Sequence, residues 1–228
     1  MKNFLTSFFD FFLPRFCPSC NKKLTPDEEV ICPDCFSKIK LADKQRIDHE
    51  FKRKFFNKGI IKDFTSLFVF EKDKELQSLI HSVKYKQRFL NGKFLGTKVG
   101  ENLTNEILNW SIDFIIPVPL HHLKKAERQF NQSYYIAIGL SKIVNIPARK
   151  NFVKRVRYTE SQTTMTLTER EANIRDAFKV KSKKKIQNKN LLLVDDVITT
   201  GATLSECGRK LKEAGANNIF GISVAIAD

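Results

Sequence analysis

Short apolar runs alternate along this chain with longer segments whose apolar residues recur every three or four positions. The Leu-Leu-Leu-Val run at 191–194 and the Phe-Ile-Ile-Pro run at 114–117 contain no polar residue, as expected of parallel strands buried on both faces. Residues 65–71, 178–180 and 219–227 read as further strands. Helical spacing marks 73–84, 91–110, a stretch ending near Val144, 167–175 and 202–215. In the last of these, Leu204, Cys207, Leu211 and Ala214 fall on one face. Gly92, Gly96 and Gly100 share a face within 91–110, which predicts close packing against a neighbour and not a cofactor loop. Such alternation predicts an α/β fold with a mostly parallel sheet flanked by helices.

Candidate chemistry begins where the 191–194 run ends, at Asp195 and Asp196. Ligands of open α/β sheets bind beyond the carboxyl ends of the strands. Two adjacent carboxylates accept hydrogen bonds from the 2′- and 3′-hydroxyls of a ribose. They also favour the positive charge that develops on the sugar as a C1 substituent departs. Thr199, Thr200 and Thr203 add hydroxyls, and Gly201 lets the backbone approach a phosphate without a Cβ. A helix starting at Ala202 turns its first N–H groups toward that anion. The set suits a 5-phosphoribosyl ligand; a plain strand–turn–helix with a capping Thr is the alternative. Neither Gly-x-Gly-x-x-Gly nor Gly-x-x-x-x-Gly-Lys-Thr occurs in the 228 residues, so no motif supports a dinucleotide or P-loop site.

At the N-terminus, Phe4, Leu5, Phe8, Phe9, Phe12 and Leu13 recur at helical spacing, with Lys2, Thr6, Ser7 and Asp10 between them. This is an amphipathic helix that packs on its own domain or, alternatively, on a membrane or protein partner. It is too short for a bilayer and lacks a small-residue cleavage site, so the expectation is a cytoplasmic protein with no transmembrane segment. Two Cys-x-x-Cys pairs follow, Cys17/Cys20 and Cys32/Cys35, with eleven residues between them. That spacing suits one tetrahedral four-sulfur Zn²⁺ site with no open position, hence a structural metal. A disulfide framework is the rival, and a reducing compartment argues against it. The chain is thus read as a helix plus zinc-binding domain over 1–50 and an α/β domain over 51–228. Cys207, on an apolar helix face, reads as simply buried.

Charge changes the picture of partners. The chain carries +15 overall, of which residues 111–190 contribute +11 and residues 191–228 contribute −2. A basic middle beside an acidic site indicates a polyanionic partner, either nucleic acid or a pyrophosphate-bearing substrate. For any single Lys a solvated surface is the plainer reading.

The 195–203 stretch resembles the phosphoribosyl-pyrophosphate signature of type I phosphoribosyltransferases. The ordered motifs from Cys17 to the last strand resemble the ComF family of competence-associated phosphoribosyltransferase-like proteins. They are the paired Cys-x-x-Cys, Lys84-Tyr85, Pro117-Val118-Pro119-Leu120-His121 and Arg128-x-Phe130-Asn131-Gln132. After these come Arg155, Gln162, Glu169-Arg170-x-x-Asn173, Ala177-Phe178 and the 195–203 signature. Gln87, Gln129 and Asp176 stand where the family usually has Gly, and Met165 where it has Leu. A side chain at a glycine position opposes positive φ.

The resemblance implies a type I phosphoribosyltransferase-like fold with a small N-terminal zinc-binding domain. Phosphoribosyl pyrophosphate with Mg²⁺ would bind at Asp195, Asp196 and the loop of Thr199, Thr200, Gly201, Ala202 and Thr203. Its pyrophosphate would meet the 117–121 loop, including Pro119 and His121, where a non-trans peptide is admitted, with Lys84, Arg128 and Arg170 as further ligand contacts. A mobile loop is implied at 158–166, flanked by Arg155, Arg157 and Arg170. Two functions follow. One is a phosphoribosyltransferase of unknown acceptor, acting in DNA uptake and natural transformation on incoming single-stranded DNA, with competence-machinery proteins as further partners. The other is a non-catalytic zinc-containing nucleic-acid-binding factor whose phosphoribosyl site is a sensor or vestige.

Overall fold

The computed structural model describes residues 14–72, 74–85, 88–158 and 172–227. Among these, the main sheet has four strands: β1 (Asp63–Val69), β2 (Phe114–Pro117), β5 (Leu191–Ile198) and β6 (Ile219–Ile226), in the order β1-β6-β5-β2. All three pairings are parallel. A separate antiparallel ribbon joins β3 (Val153–Arg155) to β4 (Phe178–Val180). The helices are α1 (Pro33–Phe36), α2 (Lys44–Lys54), α3 (Glu75–Tyr85), α4 (Phe89–Asn109), α5 (His122–Arg128), α6 (Gln132–Val144), α7 (Lys183–Ile186) and α8 (Ala202–Glu213).

The apolar runs become the central strands because both faces of the sheet are covered. Along β5, Leu192 and Val194 join one buried cluster with Ile136, Ala137 and Leu140 of α6. Leu191 and Leu193 join the other, with Leu204, Cys207 and Leu211 of α8. Cys207 is fully buried, as expected, and burial pushes its thiol pKa up. The glycine face of α4 packs as predicted. A Cβ on Gly96 would lie 1.9 Å from the Ile136 carbonyl oxygen, and one on Gly139 of α6 would lie 2.1 Å from that of Lys93. Small residues at this crossing bring the two backbones into contact.

The strands at 114–117 and 178–180 have the expected limits, and β1, β6, α3, α4 and α8 lie within two residues of theirs. The apolar run at 191–194 does not end the strand, however. β5 continues through the acidic pair to Ile198, because Asp195, Val197 and Ile198 pair with Ser223, Ala225 and Ile226 of β6. Helices α2 and α5 and strand β3 carried no recognised signal. The 117–121 loop contains no cis peptide, contrary to what the resemblance admitted. The two described positions where glycine is replaced keep the backbone that glycine favours: Gln129 has φ 64° and Asp176 φ 56°. Gln129 ends α5, while Asp176 is held by Arg209 and Lys210 at 3.0 and 2.6 Å. The N-terminal amphipathic helix over 1–13, most of the 158–166 loop, Gln87, Gln162, Met165, Glu169 and Arg170 lie outside the described residues, as does most of the 167–175 helix.

Candidate functional site

The acidic pair lies where β2 stops and β5 goes on. Pro117 is opposite Val194, and the Val118 amide still donates to the Val194 carbonyl at 2.9 Å; beyond that the chain turns away into α5. This leaves Asp195 and Asp196, both half-buried, at the carboxyl end of the sheet beyond the last residue of β2. Asn131 ties the chain after β2 to α6. Its Nδ2 donates to the Val118 carbonyl at 2.9 Å, and its Oδ1 caps α6 by accepting from the Ser133 amide. So anchored, α6 presents Ser133, whose hydroxyl donates to Asp195 Oδ1 at 2.9 Å. On the other side Lys84, at the end of α3, meets Asp196 Oδ2 at 2.7 Å.

These partners drive the two carboxyls apart. Burial and the neighbouring Asp196 charge raise Asp195 to about 7, against the pull of Ser133, the Asp196 amide and Lys84. Burial acts on Asp196 in the same sense but is outweighed by Lys84, the Val197 amide and Arg128, which hold it below the usual carboxylate range. Near neutrality the site therefore has one firmly ionised carboxylate and one at the edge of ionisation. It can accept from a diol through both, or donate one proton.

The loop after β5 meets the pair from the same edge. Gly201 has φ 72°, and a Cβ there would lie 2.6 Å from the Phe55 ring. Glycine is thus demanded twice, by conformation and by Phe55, in addition to any approach of a phosphate. Gly201 also caps α8 without offering a side chain, so the amides of the first helical turn lack intrahelical acceptors. Thr200 Oγ1 accepts weakly from the Ala202 amide at 3.4 Å; Thr199 is exposed and Thr203 half-exposed.

Sequence reasoning missed what supports this loop. Lys54, 5% exposed, donates from α2 to the Thr199 carbonyl and to the Ala227 carbonyl, and pairs with Glu50, 2% exposed, at 2.8 Å. Burial works against the Lys54 charge and Glu50 sustains it. The Glu50/Lys54 spacing of four was legible as a helical ion pair; its burial beneath the loop was not. Ser133 was missed by one residue, since the motif read on α6 stopped at Gln132.

The remaining expected residues are not all gathered here. Arg128 is half-buried and acts on Asp196 through its charge. Pro119 is buried and lines a cavity beside α5 and β3 whose lining does not include the acidic pair. His121 turns inward at 4% exposure; its Nδ1 accepts from the Leu123 amide at 3.4 Å to start α5, and its ring packs against Tyr158. Burial, the neighbouring His122 and the nearby cations Arg155 and Lys124 lower its pKa, favouring neutral imidazole.

Comparison with known proteins fits this geometry. Residues 131–228 match the phosphoribosyl transferase domain family. Competence protein F of Haemophilus influenzae is 40% identical over 106 residues, 46% of either chain. The chain is similar to competence protein F over just under half its length, and its residues 131–228 are similar to phosphoribosyl transferase domains. DNA utilization protein YhgH of Shigella flexneri is 29% identical over 63% of this chain and 64% of its own. Amidophosphoribosyltransferase of Escherichia coli K12 is 31% identical over 58% of this chain and 24% of its own. The chain thus spans less than two thirds of the length of each of these relatives. The phosphoribosyl transferase match begins at the cap of α6 and takes in the acidic pair and its loop, but not Lys84 or Lys54.

The four N-terminal cysteines form a second centre. Their sulfurs all lie within 4.8 Å of one another, and Cys20 and Cys32 are 3.7 Å apart. Four Zn–S bonds of about 2.3 Å in a tetrahedron place sulfurs roughly 3.8 Å apart, whereas a disulfide needs about 2.0 Å. The donor set fits a metal, and the cysteines form no disulfide. Phe36, directly after Cys35, docks this segment by edge-on contacts with Phe68 of β1 and Phe94 of α4. Among the described residues no helix is long and apolar enough to cross a membrane.

Proposed function

We propose that this protein binds phosphoribosyl pyrophosphate together with Mg²⁺ and transfers its phosphoribosyl group in the handling of incoming DNA. The observation that carries the reading is the half-buried Asp195/Asp196 pair, braced by Ser133 and Lys84 beside the Gly201 turn. The ribose diol donates to the two carboxylates. The 5′-phosphate lies on the 199–203 loop and the first turn of α8. The pyrophosphate faces the 117–121 loop and Arg128, with Arg170 the further contact that the family resemblance implies. Mg²⁺, carried with the pyrophosphate, supplies charge neutralisation when bound. The C1–oxygen bond to pyrophosphate breaks, a bond from C1 to the acceptor forms, and the acceptor gives up its proton. The carboxylates favour the positive charge on the sugar, and no protein nucleophile is required.

The names of the relatives, a competence protein, a DNA utilization protein and an amidophosphoribosyltransferase, support both parts of the reading. Zn²⁺ on Cys17, Cys20, Cys32 and Cys35 holds the segment before α2 as a structural module within the 1–50 domain, and the protein works in the cytoplasm alongside competence-machinery proteins. Calorimetry with Mg²⁺–phosphoribosyl pyrophosphate tests the site. Replacing Asp195 and Asp196 together by Asn should abolish binding in a folded protein; unchanged affinity refutes the reading. The +11 charge of residues 111–190 favours a second reading, a nucleic-acid-binding factor in which the same site only senses its ligand. Pyrophosphate release across a panel of bases, nucleosides and DNA separates the two.

A further inference from the structure

We infer that the β3–β4 ribbon and the grooves beside it form a track for single-stranded nucleic acid, and that the zinc segment does not. The inference rests on the nucleic-acid reading above and is independent of turnover at the phosphoribosyl site. In the ribbon's register Lys154 stands directly opposite Lys179, both exposed. Like charges facing each other across an antiparallel pair repel, so the ribbon holds this pair at a cost to its own stability. Lys181 follows β4, and Lys183, Lys184 and Lys185 follow it in turn, all exposed. None of Lys154, Lys179 and Lys181 has an ion-pair partner among the described residues.

Two adjoining cavities run along this face. One, of about 770 Å³, is lined by Lys125, Lys150, Lys154 and Lys181 together with Tyr134 and Tyr135, the Tyr134 ring carrying the Lys150 ammonium at 4.8 Å. The next, of about 590 Å³, shares Tyr134 and Lys150 and adds Arg149 and Lys185. Neither lining includes a carboxylate among the described residues. A cationic groove with aromatic rings along it is what an unpaired strand requires: the cations follow the phosphates and the rings stack the bases. Paired bases expose no faces to such rings, so a duplex would use only the charge. Residues 1–50, which contain the zinc segment, sum to zero charge and have no comparable field. The first cavity also includes Pro119, from the loop expected to meet pyrophosphate, and Arg155.

The test uses the full chain and a 5′-labelled oligo(dT) of about 20 nucleotides, read by fluorescence anisotropy across a salt series. For single strands log K falls with log salt by about 0.7 per phosphate contact. Neutralising Lys154, Lys179 and Lys181 to Gln should weaken binding at least tenfold at low salt and flatten the slope by about 2, with phosphoribosyl-pyrophosphate affinity unchanged. Tyr134→Leu, which keeps bulk but removes the ring, should cost about tenfold with little change in slope. Lys179→Glu should weaken binding while raising the melting temperature, because it removes the cross-strand repulsion; a merely structural lysine would not move the two in opposite senses. Unchanged affinity and slope in the ribbon variants, with wild type still binding, would overturn the location and leave the nucleic-acid reading standing. No oligonucleotide binding by wild type at low salt overturns both, as does binding only to phosphatidylserine vesicles.

Discussion

Replacing Asp195 by Asn should change the protein's stability in a pH-dependent way that reports directly on the acidic pair. The carboxyl titrates at about 7 in the folded protein, against 3.8 for an ordinary Asp. Between those values the folded state holds a proton that the unfolded chain has lost. Stability from this group is thus fully present below about pH 3.8, falls by ~1.4 kcal/mol per pH unit as pH rises, and is gone above about 7. The whole excursion is about 4 kcal/mol as an upper bound. Asn imitates the protonated carboxyl and can still accept from Ser133, so it escapes that loss. The variant and wild type should match near pH 4, and the variant should be more stable by up to about 4 kcal/mol at pH 8. Urea denaturation of both proteins at intervals from pH 4.5 to 8 measures the difference, in which titrating groups that do not face Asp195, His121 and Asp176 among them, cancel. A difference that stays constant with pH, or that shrinks as pH rises, would refute the account of a half-buried carboxyl strained by its neighbour. A stabilised variant that no longer binds ligand would show that the pair is kept for function against stability.

Three further outcomes follow from the packing and the metal centre. Gly96→Ala should destabilise by about 3 kcal/mol or more in denaturant titration, because its Cβ meets the Ile136 backbone and the helices must separate; Gly92→Ala, meeting the Tyr135 Cβ at 3.1 Å, should be far milder. Lys54→Met should destabilise by about 2 kcal/mol, because the Thr199 and Ala227 carbonyls lose their donor while the buried Glu50 carboxylate keeps Arg53 and Arg46 as partners; equal stability of the variant and wild type would remove the proposed loop anchor. Protein purified without added zinc should contain one Zn²⁺ per chain, and chelation should strip hydrogen-exchange protection from residues 15–39 before β5 and β6, since structural zinc is worth ~10 kcal/mol or more; metal analysis returning no stoichiometric metal would reject the centre.

What the sequence determined by itself was local periodicity and local chemistry. Uninterrupted apolar residues marked β2 and the first half of β5, helical spacing marked α3, α4, α6 and α8, and the shared glycine face announced a close packing whose partner, α6, only the fold supplied. The doubled Cys-x-x-Cys carried its own geometry, because the spacing within each pair lets both sulfurs reach one point. Polar strand residues carry no such signal. β5 continues through Asp195 and Asp196 only because β6 lies alongside to pair with them, and the order β1-β6-β5-β2 is a long-range fact. Gln129 and Asp176 adopt positive φ because α5 and the Arg209/Lys210 pair hold them there, against their intrinsic preference. Tertiary structure alone decided that Lys84, Ser133 and Lys54, from three different helices, converge on one strand end and its loop. Periodicity reports which face of an element is buried; which side chains meet across that burial depends on how the sheet orders its strands and how closely the helices over it can pack.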